Sequence, residues 1–286
     1  MAEAVRSVVV MTHEVPSVAQ AALAEVITLL EARGTRLLLP AGEREKHAEA
    51  LAGHQTGHCE LTGEELSRAG LCLVLGGDGT MLRALRLTRY RGVPVAGVAL
   101  GRVSYFATIR RDRITADLGR VLAGDYLAHP MVGLAGQLGA HVLNAVNDVV
   151  VGRARHSGIC RLSYALNGVP LFDVGCDSLI VSTPAGSSAY NLSAGGPLLG
   201  FGVEGYVLTF VAPHTLGARS VVAAGSDVLG VTNRSSHEDV EVAADGEFVG
   251  TLTVGATLEL RTVPDAALLA LLPEQSLYSH FQERFS

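Results

Sequence analysis

Lysine is almost missing from this 286-residue chain, with Lys46 the only one. A phosphate loop of the GxxxxGK[ST] kind is therefore excluded, and any phosphate must be met by arginine, backbone amides or a metal ion. Clustered positive charge is missing too. The net charge is −6 and the arginines are spread out, which argues against nucleic acid and against anionic lipid as partners. No apolar run approaches the ~18–20 residues of a membrane span. This holds although 48% of residues are hydrophobic and mean hydropathy is +0.33. The longest runs, Tyr206–Ala212 and 266–272, are of core size. The first residues carry no basic-then-apolar leader, because Val8–Met11 is followed by His13 and Glu14. Cys59, Cys72, Cys160 and Cys176 form no CxxC pair and read as reduced, structural residues. Repeats, low-complexity segments and long linkers are lacking. What remains is a soluble, cytoplasmic protein of one large or two modest domains.

What is present falls into two textures. Ser7–Thr12 reads as a first strand, Val18 to Leu30 as an amphipathic helix stopped by Gly34, and Thr35–Leu39 as a second strand. Thr62-Gly-Glu-Glu65 resembles a capping box before a short helix. A buried strand over Leu71–Leu75, a helix reaching about Tyr90 and another strand over Pro94–Leu100 complete an alternating pattern. That pattern predicts an α/β domain over residues 1–110 with a parallel, Rossmann-like sheet. After a helix at Ile114–Leu122, strand-like runs crowd together. They include Val142–Val151, Arg161–Leu166, Val169–Phe172, Leu179–Ser182, Tyr206–Val211, Asp239–Ala243, Phe248–Val254 and Thr257–Arg261. Asn167-Gly168 and Asp245-Gly246 are hairpin signals. Residues 111–264 are thus expected to form a β-rich, largely antiparallel domain. An apolar helix at Asp265–Leu272 and a tail with Tyr278 and Phe281 are expected to pack back on the first domain.

Three stretches carry chemistry. The first is Gly76-Gly77-Asp78-Gly79-Thr80, where a strand turns into a helix. Glycines let the backbone bend and approach a ligand, and the amides opening the helix favour an anion. It is not a dinucleotide fingerprint, since Leu82 stands where GxGxxG needs glycine. A carboxylate amid phosphate-friendly backbone suits proton transfer or metal binding beside a moving phosphoryl group; the plainer reading is a tight turn with an aspartate cap. The second is Asp177 to Pro197, where Ser182-Thr183-Pro184 and Gly186-Ser187-Ser188 offer hydroxyls and close approach. Tyr190 offers a face on which a planar base stacks, and Gly195-Gly196-Pro197 stops the helix. The third is Asn147-Asp148 in an otherwise apolar strand, a polar pair that a sugar diol would satisfy, as would an edge bulge.

Other groups are less pointed. His54 and His58 lie four apart beside Cys59, but no fourth ligand is evident and a solvated helix end is the simpler reading. His214 after Pro213 is a candidate pocket residue or a structural histidine. Arg153, Arg155 and His156 either meet phosphates or form a polar loop.

The ordered set Gly76–Thr80, Asn147-Asp148, 182–196 and Pro213-His214-Thr215-Leu216 resembles the NAD kinases of the bacterial type over most of the chain. The resemblance implies an N-terminal α/β domain, a C-terminal β-rich domain and a homodimer or homotetramer. It implies phosphorylation of the 2′-hydroxyl of the adenosine ribose of NAD to NADP, from ATP or polyphosphate, with a divalent metal such as Mg2+ and no protein ligands assigned to it. Asp78 matches the general base. Gly76, Gly77, Gly79, Thr80 and Arg83 match the phosphate side. Asn147 and Asp148 match the ribose pair and Asp177 a carboxylate that contacts the dinucleotide, in the family partly across a subunit interface. Ser188, Ala189, Tyr190 and Ser193 match the loop around the nicotinamide and adenine ends. Glu247, Gly175, His214 and Arg155 complete the candidate pocket.

The chain departs from the family pattern G-x-N-x-G-x-L-G-F-L, with Ala99 for the asparagine and Ser104 for the last glycine. Ser178 follows Asp177 where glycine is usual, Gly175 stands where a longer polar side chain is common, and Glu247 often has glutamine as its counterpart. Altered donor and substrate preference is one consequence of such changes. A lipid kinase would share the glycine turn but show a membrane-facing surface, and a sugar-phosphate kinase would show an arginine and lysine set. A non-catalytic NAD(P) sensor would have lost Asp78 or its glycines.

Overall fold

The computed structural model of the chain describes residues 4–40, 42–52, 54, 63–101, 104–154, 158–215, 217–276 and 278. His58, Cys59, Thr62, Arg155, His156, Leu216 and Phe281 lie outside the described residues. The chain divides into two compact units, Met1–Pro130 with Ala267–Ser286, and Met131–Ala266.

The first unit is built on a parallel sheet. Its strands are Ser7–Thr12 (β1), Arg36–Leu38 (β2), Leu71–Gly76 (β3) and Pro94–Ala99 (β4), in the order β2-β1-β3-β4, with the short Ile109–Arg110 (β5) parallel to β4. β3 is buried along its whole length, as a near-continuous apolar run in a doubly covered parallel sheet should be. Helix Pro16–Ala32 (α1) starts with proline in its first turn, where no N–H is needed, and Gly34 at φ 63° follows its end. It buries Ala19, Leu23, Val26, Ile27 and Leu30 among the sheet residues Val8, Val10, Leu73 and Val98. Each such leucine or valine contributes about 1.5–3 kcal/mol by leaving water. Two short helices follow, Glu43–Lys46 (α2) and Gly63–Ser67 (α3), and then Asp78–Thr88 (α4). α4 buries Met81, Ala84, Leu85 and Thr88 at helical spacing. A π-helical turn over Ile114–Leu118, wider than an α-helix, continues into Gly119–Leu122 (α5).

The second unit is antiparallel β. One sheet runs Val169–Cys176 (β10), Cys160–Leu166 (β9), Leu229–Asn233 (β14) and the first part of Thr257–Leu271 (β17), with Leu127–Leu138 (β6) pairing His141–Ala145 (β7). The other runs Val221–Ala224 (β13), Gly205–Val211 (β12), Ser178–Ser182 (β11), Asp148–Arg153 (β8), Val240–Ala244 (β15) and Glu247–Leu252 (β16). Alternate residues of both sheets, among them Tyr164, Val231 and Leu258 from one and Val149, Val181 and Leu208 from the other, close a common core. Asn167-Gly168 and Asp245-Gly246 make the two expected hairpins. Both pairs have positive φ (51° and 77°, 49° and 79°), as a type I′ turn requires. No helix among the described residues is long and apolar enough to cross a membrane.

Three expectations change. The apolar helix at Asp265–Leu272 is the end of strand β17, whose Leu268 and Leu269 pair in parallel with Pro94 and Val95. A short apolar run fits a buried strand as well as a helix, and pairing beside β4 decides it. Val142–Val151 is not one strand: it breaks at Val146-Asn147 between β7 and β8, so the Asn-Asp pair sits at a corner. Strands β6, β13 and β14 carry weak alternation and were not expected.

Candidate active site

In the first unit the glycine turn leaves the carboxyl end of β3, the side on which parallel sheets bind ligands. Gly77 is the N-cap of α4 and its carbonyl accepts the Thr80 and Met81 amides, both at 3.0 Å. The three glycines differ in purpose. A Cβ on Gly76 would lie 2.6 Å from Thr80 Oγ1, so Gly76 and the buried Thr80 are packed on each other. Side chains on Gly77 or Gly79 would meet nothing within 4 Å, which leaves open space over the turn for a ligand. Gly97 on β4 lets Met81 of the helix and Ala107 sit against the strand; its Cβ would be 2.8 Å from that of Ala107.

Asp78 Oδ1 accepts hydrogen bonds from Ser104 Oγ and the Tyr105 amide, each at 2.7 Å, and from the Phe106 amide at 3.2 Å. Arg83 turns toward the end of β1, donating to the Thr12 carbonyl at 2.9 Å with Glu14 3.7 Å away.

The second unit holds a separate constellation, built around the corner between β7 and β8. The Asp245 carboxylate, from the Asp-Gly hairpin, accepts the amides of Val146 (2.9 Å), Asn147 (2.7 Å) and Asp148 (3.3 Å). From the other side Thr183 Oγ1 donates to the Val146 carbonyl at 2.6 Å, and the Thr183 amide donates to the Asn147 carbonyl at 2.9 Å. Gly186 lies directly on the Asn147 backbone, where any Cβ would collide. The corner is therefore clamped by two loops distant in sequence. Asn147 Oδ1 is buried there without a hydrogen-bond partner among the described residues, an arrangement that costs free energy unless a ligand donates to it. Asp148 is 7% exposed. Burial, and then the nearby charge of Asp245, push its carboxyl up to about 7.

The second unit also holds a cleft of about 560 Å³ lined by Val150, Gly152, Arg153, Asp177, Ser178, Tyr190 and Glu241, among others, and neither Asn147 nor Asp148 is among its lining residues. Arg153 Nε donates to Asp177 Oδ1 at 3.0 Å. Tyr190, 45% exposed, begins the helix Tyr190–Ser193 (α6), with its ring available. Ala189 is half-buried just before it. Asn191 holds the loop's shape by donating to the Ser187 and Pro197 carbonyls.

The sequence-matched residues do not all face this cleft. Ser188 is buried and donates to the Ala185 carbonyl, while Ser193 and Glu247 are exposed and are not among its lining residues. His214 is exposed and its amide donates to the Gly175 carbonyl at 2.7 Å, so these two hold each other outside the lining.

Two family profiles match the chain: the ATP-NAD kinase N-terminal domain over residues 6–126 and the ATP-NAD kinase C-terminal domain over residues 146–270. The chain belongs to the NAD kinase family. An NAD kinase from Moorella thermoacetica is 34% identical over 275 residues, covering 95% of this chain and 86% of that protein. One from Symbiobacterium thermophilum is 31% identical over 268 residues and 92% of each chain. Among solved structures, yeast NADH kinase complexed with NADH matches with a TM-score of 0.84 at 20% identity, over 98% of this chain and 86% of that one. An Archaeoglobus fulgidus NAD kinase in complex with ATP matches with a TM-score of 0.71, also at 20% identity, over 97% of each.

Within this NAD kinase family member, two site residues escaped the sequence reading. Asp245 was read only as half of a hairpin signal, which hid its hold on Val146–Asp148. Ser104 was seen as a departure from the family pattern, with no sign in the sequence that its hydroxyl reaches Asp78.

Proposed function

We propose that this chain transfers the γ-phosphoryl group of ATP to the 2′-hydroxyl of the adenosine ribose of NAD, giving NADP and ADP. The 2′-oxygen forms the new bond to phosphorus, the bond to the β–γ bridging oxygen breaks, and the hydroxyl proton passes to the Asp78 carboxylate. Asn147 and Asp148 hold a ribose diol, Asp148 in its protonated form donating as well as accepting near neutral pH. Tyr190 stacks on a planar ring, and Asp177 meets the dinucleotide in the cleft. The Gly77–Gly79 backbone at the start of α4 receives phosphate, with Arg83 one turn on adding positive charge.

Mg2+ neutralises phosphate charge and orients the donor when bound. Among the described residues no group of three or more His, Cys, Asp or Glu side chains forms a metal cluster. Asp78, as the carboxylate of the glycine turn, would be this chain's group to meet a magnesium ion brought in by the phosphates of ATP. The proposal includes assembly as a homodimer or homotetramer, which light scattering of the purified protein measures.

The observation that carries the NAD reading is the buried, unpartnered Asn147 Oδ1 in a corner clamped by Asp245, Thr183 and Gly186. Such a rigid polar pocket wants a hydroxyl donor of fixed position. Purified protein with NAD, ATP and Mg2+ is expected to form NADP, and Asp78→Asn to lose at least about a hundredfold in kcat. NAD bound without product above the Asp78→Asn control would instead establish a sensor. Replacing ATP by polyphosphate in the same assay identifies the donor range.

A further inference from the structure

A carboxylate at the start of a helix ordinarily turns back to cap the amides of its own first turn. In α4 the N-cap is Gly77, which has no side chain to offer, and Asp78 Oδ1 is held by the segment 104–106. Ser104 is 6% exposed. Its oxygen accepts the Ala107 amide at 2.9 Å, which orients the hydroxyl so that its single proton points to Asp78 Oδ1, 2.7 Å away. A hydrogen bond of this length to a carboxylate is of the stronger, charge-assisted kind. The two amides beside it come from the backbone and would be offered by any residue. The hydroxyl comes only from Ser104, at a position where the family pattern has glycine.

We infer that Ser104 is a positioning residue for Asp78. Its hydroxyl completes a three-donor cradle on one carboxylate oxygen and stops the carboxylate from rotating toward the open amides of α4. The group then meets the acceptor hydroxyl in one orientation. The inference rests on Asp78 receiving the 2′-hydroxyl proton. It gives this chain a third donor on the base where a glycine would give two. The departure at Ser104 thereby tightens the base as it alters the loop.

The test is steady-state kinetics with NAD and ATP on Ser104→Ala, Ser104→Gly and Ser104→Cys. Cysteine is the nearest side chain to serine in shape, with a larger sulfur that donates only weakly, so read against alanine and glycine it separates the hydrogen bond from packing. All three variants are expected to lose about tenfold in kcat, equivalent to about 1.4 kcal/mol. KM for NAD and for ATP should stay within about twofold of the parent. A merely structural role would move KM and thermal stability together with kcat.

Should Ser104→Ala or Ser104→Gly fail to fold, the folded Ser104→Cys protein decides. A kcat within twofold of the parent in Ser104→Cys, or a loss carried by KM, overturns the inference. Asp78→Asn is run alongside to separate the two readings. If it keeps more than about a tenth of the parent kcat, the role of Asp78 as base has failed. If it is inactive while Ser104→Cys works at full rate, only the positioning role has failed.

Discussion

Asp148→Asn tests the electrostatics of the acceptor corner without touching its shape, because asparagine keeps the size of the side chain and removes its charge. Asp148 is buried beside Asp245, and its carboxyl titrates near 7 in place of the ordinary 3.8. The folded chain thus holds this proton more tightly than the unfolded chain does. The stability Asp148 contributes is complete below about pH 4 and is lost as pH rises through about 7. A shift of that size corresponds to about 4 kcal/mol at pH 8, at about 1.4 kcal/mol per tenfold change in proton affinity. Asp148→Asn carries no such penalty. Urea unfolding of the two proteins should show the asparagine variant more stable by about 2–4 kcal/mol at pH 8, with the gap below about 1 kcal/mol at pH 4. Titrating groups away from the corner are common to both proteins and cancel in the difference, whereas Asp245 is coupled to Asp148 and contributes to the measured gap. A gap equal within 0.5 kcal/mol, roughly the additivity error, at pH 4 and pH 8 would refute the burial argument. So would a variant less stable at every pH.

Two further outcomes are expected. Asp245→Ala strips the acceptor from the buried amides of Val146, Asn147 and Asp148, at about 1–3 kcal/mol for each unsatisfied group. Urea unfolding should show a loss of about 3–5 kcal/mol, and less than about 1 kcal/mol would mean that Asp245 does not hold the corner. Tyr190→Ala removes an exposed ring beside the cleft, and stacking of a base on an aromatic ring is worth about 1–3 kcal/mol. The KM for NAD should rise about tenfold or more while the KM for ATP stays within twofold; equal effects on both would exclude stacking.

Much of the architecture was legible in the chain because its signals are local. The apolar run of β3 leading into three glycines, the period of α1 with its proline start and glycine stop, and the two Asx-Gly hairpins each depend on residues a few positions apart. Their physics is written in backbone preference and hydrophobic period. The same locality explains the failures. Residues 266–272 are apolar at every position, so they could not by themselves choose between helix and strand, and pairing with Pro94 and Val95 chose. β13 and β14 gain their order from neighbours more than from their own pattern.

The site divides in the same way. From sequence alone came the candidate residues that type and local spacing single out, namely Asp78 in its glycine turn, the Asn147-Asp148 pair and Tyr190, with Asp177 added by the family resemblance. Only the tertiary structure decided what surrounds them. Ser104 is 26 residues from Asp78 in the chain, and Asp245 is 97 from Asp148. A hydrogen bond or a buried charge at such separation leaves no periodic trace in sequence, because folding, and not spacing, brings the partners into hydrogen-bond distance. The candidate groups were thus legible locally, while the contacts that orient Asp78 and raise the proton affinity of Asp148 exist only once the chain has folded.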